Sequence, residues 1–169
     1  MKSRATLLGH SIHPMLVVFP LGLLSTAVLF DFIHLFSRNA LWAQISFWMI
    51  AVGVLGGLAA AVFGAIDWLA LPRGTRAHRI GLLHGLVNLV VVGAFAVSWL
   101  LRLGAPATPS SLAVILGFLG VSLACVSGWL GGELVERLGV GVHPNAHLDA
   151  PSSLASASTP TPNPARPMR

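Results

Sequence analysis

The sequence predicts an all-α membrane protein, a polytopic up-down-up-down bundle of four transmembrane helices followed by a disordered tail. Three observations lead there. Four apolar runs divide the chain, with spans expected at about 12–36, 41–70, 79–102 and 111–136. Each has about 20 residues or more, enough at about 1.5 Å per residue to cross roughly 30 Å of hydrocarbon. The links between them are short and rich in turn residues, as in Pro72-Arg73-Gly74-Thr75-Arg76; consecutive spans are therefore antiparallel neighbours. Hydrophobic residues make up 55% of the 169 and charged residues 9%. A soluble domain carries about 25% charged residues, so this composition cannot clothe a water-facing surface.

The first span follows Met1-Lys2-Ser3-Arg4, which mimics the start of a secretory signal. The run from Met15 to Phe30 is long for such a signal and no A-x-A cleavage site follows it, so it reads as a helix that stays. Residues 1–11 become a cytoplasmic segment and 12–142 the membrane domain. Pro14 suits the first helical turn, where its missing N–H costs nothing. Pro20 lies deeper and is expected to kink the helix. The second and fourth runs carry no charge over Leu41–Ile66 and Ser111–Gly132, and the third is interrupted only by His84, Asn88 and Ser98. Small residues recur every four positions at Gly53, Gly57 and Ala61, and at Gly120, Ala124, Gly128 and Gly132. Such stripes let helices approach closely in lipid, within the chain or in a homodimer. The tail, 143–169, is rich in Ser, Pro, Ala and Thr and reads as disordered. His143 and His147 are expected there as solvated side chains.

The net charge of +5 is scattered between the apolar runs and forms no basic stripe, which argues against nucleic acid as a partner and for topology. Lys2, Arg4, Arg73, Arg76, Arg79 and Arg137 fall on one side, Arg38 and Arg102 on the other, which places both termini in the cytoplasm. Trp42 and Trp99 then mark the outer interface, and Trp68 and Trp129 the inner one. The single cysteine, Cys125, excludes a disulfide framework and is expected to be a buried, inert thiol.

With that orientation every helix brings polar groups to a similar inner level: His10 and His13, Asp67, His84 with Asn88, and Glu133. Ionisable groups at membrane depth are costly and are by default a functional hypothesis. Imidazoles from opposing helices at one depth suit haem, with His13 and His84 as axial ligands and His10 as substitute. A non-haem ion would use His10, His13, His84, Asp67 and Glu133. Asn88 and Asp67 would orient the ligands. Two alternatives stand beside this redox reading. One is a proton, ion or small-solute path through Asp67, His84 and Glu133. The other is a structural or partner-binding subunit, with Asp67 bonded to His84 and Glu133 answering Arg137 or Arg79. At the outer end Asp31, His34 and Arg38 suggest a local ion pair or a helix-end contact on the first helix. No hydrolase triad or phosphate loop is present, so the chain is expected to have no catalytic activity of its own.

Together, His10-x-x-His13-Pro14, Gly64-Ala65-Ile66-Asp67-Trp68, His84-x-x-x-Asn88 and Gly131-Gly132-Glu133-Leu134-Val135 resemble the bacterial membrane family termed domain of unknown function 2231. The resemblance spans about Gly9 to Val142. It implies a four-helix fold of the bacterial inner membrane and brings no established activity. Relatives are expected to carry an aromatic residue at 136 and often a histidine at 138, where this chain has Glu136 and Leu138. Some members are joined to Rieske-type iron–sulfur domains, which implies electron transfer; this chain lacks the cysteines for one, so an iron–sulfur partner would be a separate protein.

Overall fold

Four helices form because each apolar run can satisfy its backbone polar groups only internally once water is excluded. The computed structural model describes residues 2–154. A two-residue strand pair, β1 (Thr6–Leu7) and β2 (His10–Ser11), precedes α1 (Ile12–Ser37). Then come α2 (Ala40–Leu69), α3 (Arg76–Leu100) and α4 (Ser111–Gly132), which runs on into a π-helical turn, Glu133–Arg137. All four helices are long and apolar enough to cross a membrane. Residues 6–11, within the segment placed ahead of the first span, form a tight hairpin closed by Leu8 and Gly9 at positive φ of 51° and 87°. Of the tail, 143–154 runs without helix or strand, and the expectation for 155–169 lies outside the described residues.

Helix boundaries follow local chemistry. Asn39, Thr75 and Ser110 each accept a backbone N–H of the first turn of α2, α3 and α4, as N-cap side chains do. Arg38 ends α1 in the left-handed region, and the α1–α2 link needs no more than that turn. Trp68 Nε1 donates to His78 O (3.1 Å) and its ring lies on the His78 ring, so the end of α2 grips the start of α3.

α1 packs on α2 and α3 on α4, while α2–α3 and α4–α1 complete the ring. α1 and α3 therefore stand diagonally and point the same way. Their facing side chains, with Ile50 of α2, make an apolar core of Leu24, Ala27, Val28, Val91 and Phe95. Close approach needs glycine in two places. A Cβ on Gly53 would lie 2.6 Å from Leu24 Cδ2, and one on Gly120 2.7 Å from Phe95 Cε2. Pro20 is buried within an unbroken α1, its ring covered by Gly56 of α2. Cys125 faces outward rather than inward, correcting the expectation of a buried thiol. Its helix presents other side chains to the core, and lipid accepts a thiol as readily as a core does.

Candidate functional site

His13 is the second residue of α1, at the end of the bundle where the N-terminal hairpin, the α2–α3 link and the π turn gather. Its ring lies flat on α2. Nδ1 is 2.8 Å from Ala60 O, and one turn on, a Cβ at Gly64 would come within 2.9 Å of Cε1. His84, in the third turn of α3, lies on α4 in the same manner. Nδ1 is 3.0 Å from Ser127 O and 3.1 Å from Ser127 Oγ, and a Cβ at Gly131 would stand 3.3 Å from Cε1. The two rings meet with centroids 6.4 Å apart and planes at 89°.

The hydrogen bonds assign the tautomers. A backbone carbonyl can only accept, so Nδ1 carries a proton on both rings; on His84 that leaves Nε2 to hold the lone pair. Asn88, one turn beyond His84, agrees with this: its amide nitrogen donates to His84 Nε2 at 3.1 Å and to His84 O at 3.0 Å. Fixing the far nitrogen by a carbonyl is how imidazoles are oriented when Nε2 is to act as a donor atom.

The other sequence-singled residues have different partners. Asp67 accepts from Ser3 Oγ (2.7 and 2.8 Å to its two oxygens), from Arg4 N (3.0 Å) and from Ala5 N (3.4 Å). It anchors the N-terminal segment to α2 and makes no bond to His84, which corrects that expected pairing. The physical reason is supply: a carboxylate near a helix end takes up unpaired backbone N–H groups wherever a chain end offers them. Glu133 pairs with Arg76 at 2.6 Å, the arginine half-exposed, and not with Arg79 or Arg137. The π turn and the early start of α3, ahead of the expected 79, bring those two together. His10 is exposed and its Nε2 meets Ser153 Oγ at 3.2 Å. Among the described residues no three His, Cys, Asp or Glu side chains gather as a metal cluster.

The opposite end holds what the sequence reading missed. Asp31 and Arg102 form a bidentate pair at 2.7 and 2.6 Å, both side chains fully buried. Arg102 also donates to Ser46 Oγ (3.3 Å), Ser98 Oγ (3.2 Å) and Ala113 O (3.4 Å). Of the two expected roles for Asp31, His34 and Arg38, the local ion pair does not form and the helix-end contact does: His34 Nδ1 bonds Asn39 O, and Arg38 turns the chain. Arg102 reaches the buried Asp31 carboxylate from the end of α3 and finds further acceptors there in Ser46, Ser98 and Ala113, whereas Arg38 lies in the link to α2.

A family model described as a predicted membrane protein, domain of unknown function 2231, matches residues 9–144. The chain belongs to that family. No curated protein and no solved structure matches it significantly. In this member of the domain of unknown function 2231 family, the matched span holds both imidazoles, Asn88 and the Asp31–Arg102 pair, so both polar ends of the bundle lie inside the family's shared region.

Proposed function

We propose that this family member is a haem- or metal-binding redox subunit, with His13 and His84 supplying two nitrogens to one centre. The observation that carries the reading is the pair itself: imidazoles from diagonal helices, each with Nδ1 tied to a backbone carbonyl, their ring centres 6.4 Å apart. His13 and His84 would hold the centre from two helices, across that separation.

The donor set favours haem over a bare ion. An ion alone needs four or more donors, and no third His, Cys, Asp or Glu joins the pair among the described residues. A tetrapyrrole brings its own four equatorial nitrogens, and bound there it would supply one-electron chemistry. The protein's part is to hold the rings. Ala60 O and Ser127 O fix their rotation, while Gly64 and Gly131 let each ring lie against a helix. Asn88 donates to His84 Nε2 and would have to turn away for that nitrogen to hold the centre.

The orientation we propose is both termini on the cytoplasmic side of a bacterial inner membrane. Arg102 is consumed by Asp31 inside the protein, which leaves Arg38 alone on the outer side against six basic residues inside. The site then opens toward the cytoplasm, and its electron partner is a separate redox protein.

The test is purification in mild detergent after haem and metal supplementation, with a visible spectrum and metal analysis. The expected result is a reducible haem band, absent from His84→Ala and His13→Ala. A colourless, metal-free protein overturns the proposal and leaves the two rings as an edge-to-face packing contact, for which 6.4 Å is an ordinary distance.

A further inference from the structure

The two halves of the bundle are laid out alike. A shift of 71 residues, from His13 to His84, also carries Leu24 onto Phe95, Ala27 onto Ser98 and Asp31 onto Arg102, and these last three pairs are all buried. A shift of 67 residues, from Ala60 to Ser127, carries Phe47 onto Val114 and Gly53 onto Gly120, all buried, and Gly64 onto Gly131. Contacts follow the same correspondence. His13 on Ala60 O matches His84 on Ser127 O. Gly53 under Leu24 matches Gly120 under Phe95, and Gly64 under His13 matches Gly131 under His84. α2 packs on α3 as α4 packs on α1.

We infer that the bundle is two copies of one helical hairpin related by a two-fold axis along its length, and that Asp31 and Arg102 are the positioning pair that sets the hairpins in register so that His13 and His84 meet. Asp31 lies 18 residues beyond His13, and Arg102 the same 18 beyond His84. That is about five helical turns, or about 27 Å, so both positions return to the same helix face. A two-fold axis brings like positions together. Two neutral imidazoles can face each other, but two buried carboxylates or two buried guanidiniums cannot. The halves must therefore differ where a buried ionic contact crosses the axis, and at 31 and 102 they carry opposite charges. Sliding one hairpin past the other would leave both ions buried and unpaired, so one register is selected. The inference is independent of what the imidazoles bind.

The test uses the full chain in detergent, with 15N-histidine NMR reading the Nδ1–H tautomers and ring contact of the pair, and circular dichroism reading the fold. Asp31→Arg and Arg102→Asp, made singly, place like charges on the axis and are expected to lose the paired imidazole signals. Asp31→Asn, a milder change, is expected to keep helix content while shifting or broadening them. In the exchange variant Asp31→Arg/Arg102→Asp with Ala27→Ser/Ser98→Ala, the guanidinium introduced at 31 has a serine one turn behind it, as Arg102 has Ser98. Two-fold equivalence then predicts recovery of the wild-type imidazole signals. An exchange variant that behaves like the single variants overturns the two-fold inference. Imidazole signals unmoved in Asp31→Asn overturn the positioning role.

Discussion

Replacing Gly64 with alanine asks directly whether His13 is seated on α2. The new Cβ would stand 2.9 Å from His13 Cε1, 3.0 Å from Nδ1 and 3.5 Å from Nε2. The ring has to retreat by several tenths of an ångström, and its 2.8 Å bond to Ala60 O is stretched or lost. Overpacking costs about 1–3 kcal/mol, and an orphaned buried donor costs about 1–3 more. The helix gains about 0.5–1 kcal/mol from alanine, so the net loss is about 1–5 kcal/mol. Gly131→Ala is gentler, with 3.3 Å to His84 Cε1, and is expected to be near neutral. Gly128→Ala meets nothing within 4 Å and is expected to stabilise by the propensity term alone, about 0.5–1 kcal/mol. Reversible unfolding in mixed micelles, followed by circular dichroism, ranks the three. Equal stability of the Gly64 and Gly128 variants would refute the seating of His13 and, with it, the fixed tautomer.

Asp67→Asn removes a carboxylate that holds Ser3, Arg4 and Ala5. Limited proteolysis is expected to cut within 2–11 at least 10-fold faster, while the midpoint of global unfolding stays put. Glu133→Gln breaks a pair whose arginine is half-exposed, so unfolding in detergent is expected to shift by less than about 1 kcal/mol. Asn88→Val removes the amide covering His84 Nε2. Titration with haem is expected to show several-fold tighter binding, and weaker binding would mean that Asn88 holds the bound centre. Should haem bind, the perpendicular ring planes predict a highly anisotropic low-spin ferric signal in electron paramagnetic resonance; a rhombic signal would mean that the rings rotate on binding.

The four helices were legible because hydropathy, length and short links all answer to the same constraint, the absence of water around the backbone. The meeting of His13 with His84 was legible at the level of depth. What depth could not supply was azimuth. Asp67 sits at the expected level yet turns to the N-terminal segment, and no spacing rule foretells that Ser3 will reach it. Arg102, at the outer end of the third span, counts in the sequence only as an outer-side charge, because its partner is 71 residues away. A signal was present all the same. The interval from His13 to Asp31 recurs from His84 to Arg102, and a comparison of the first half of the sequence with the second would have exposed it. Cys125 was misread because thiols in a water-soluble fold seek the interior, whereas here the exterior is equally apolar.

Between the imidazoles and the Asp31–Arg102 pair the core side chains Leu24, Ala27, Val28, Ile50, Val91 and Phe95 carry no polar atom. This stretch is a dielectric plug rather than a wire. On the proposed redox reading, a charge arriving at His13 and His84 would leave by the face through which it came, having crossed little of the electric field. Moving one charge fully across would couple to voltage at about 2.3 kcal/mol per 100 mV. If the proposed redox reading holds, electron transfer at this site is expected to proceed at the same rate in energised and collapsed vesicles.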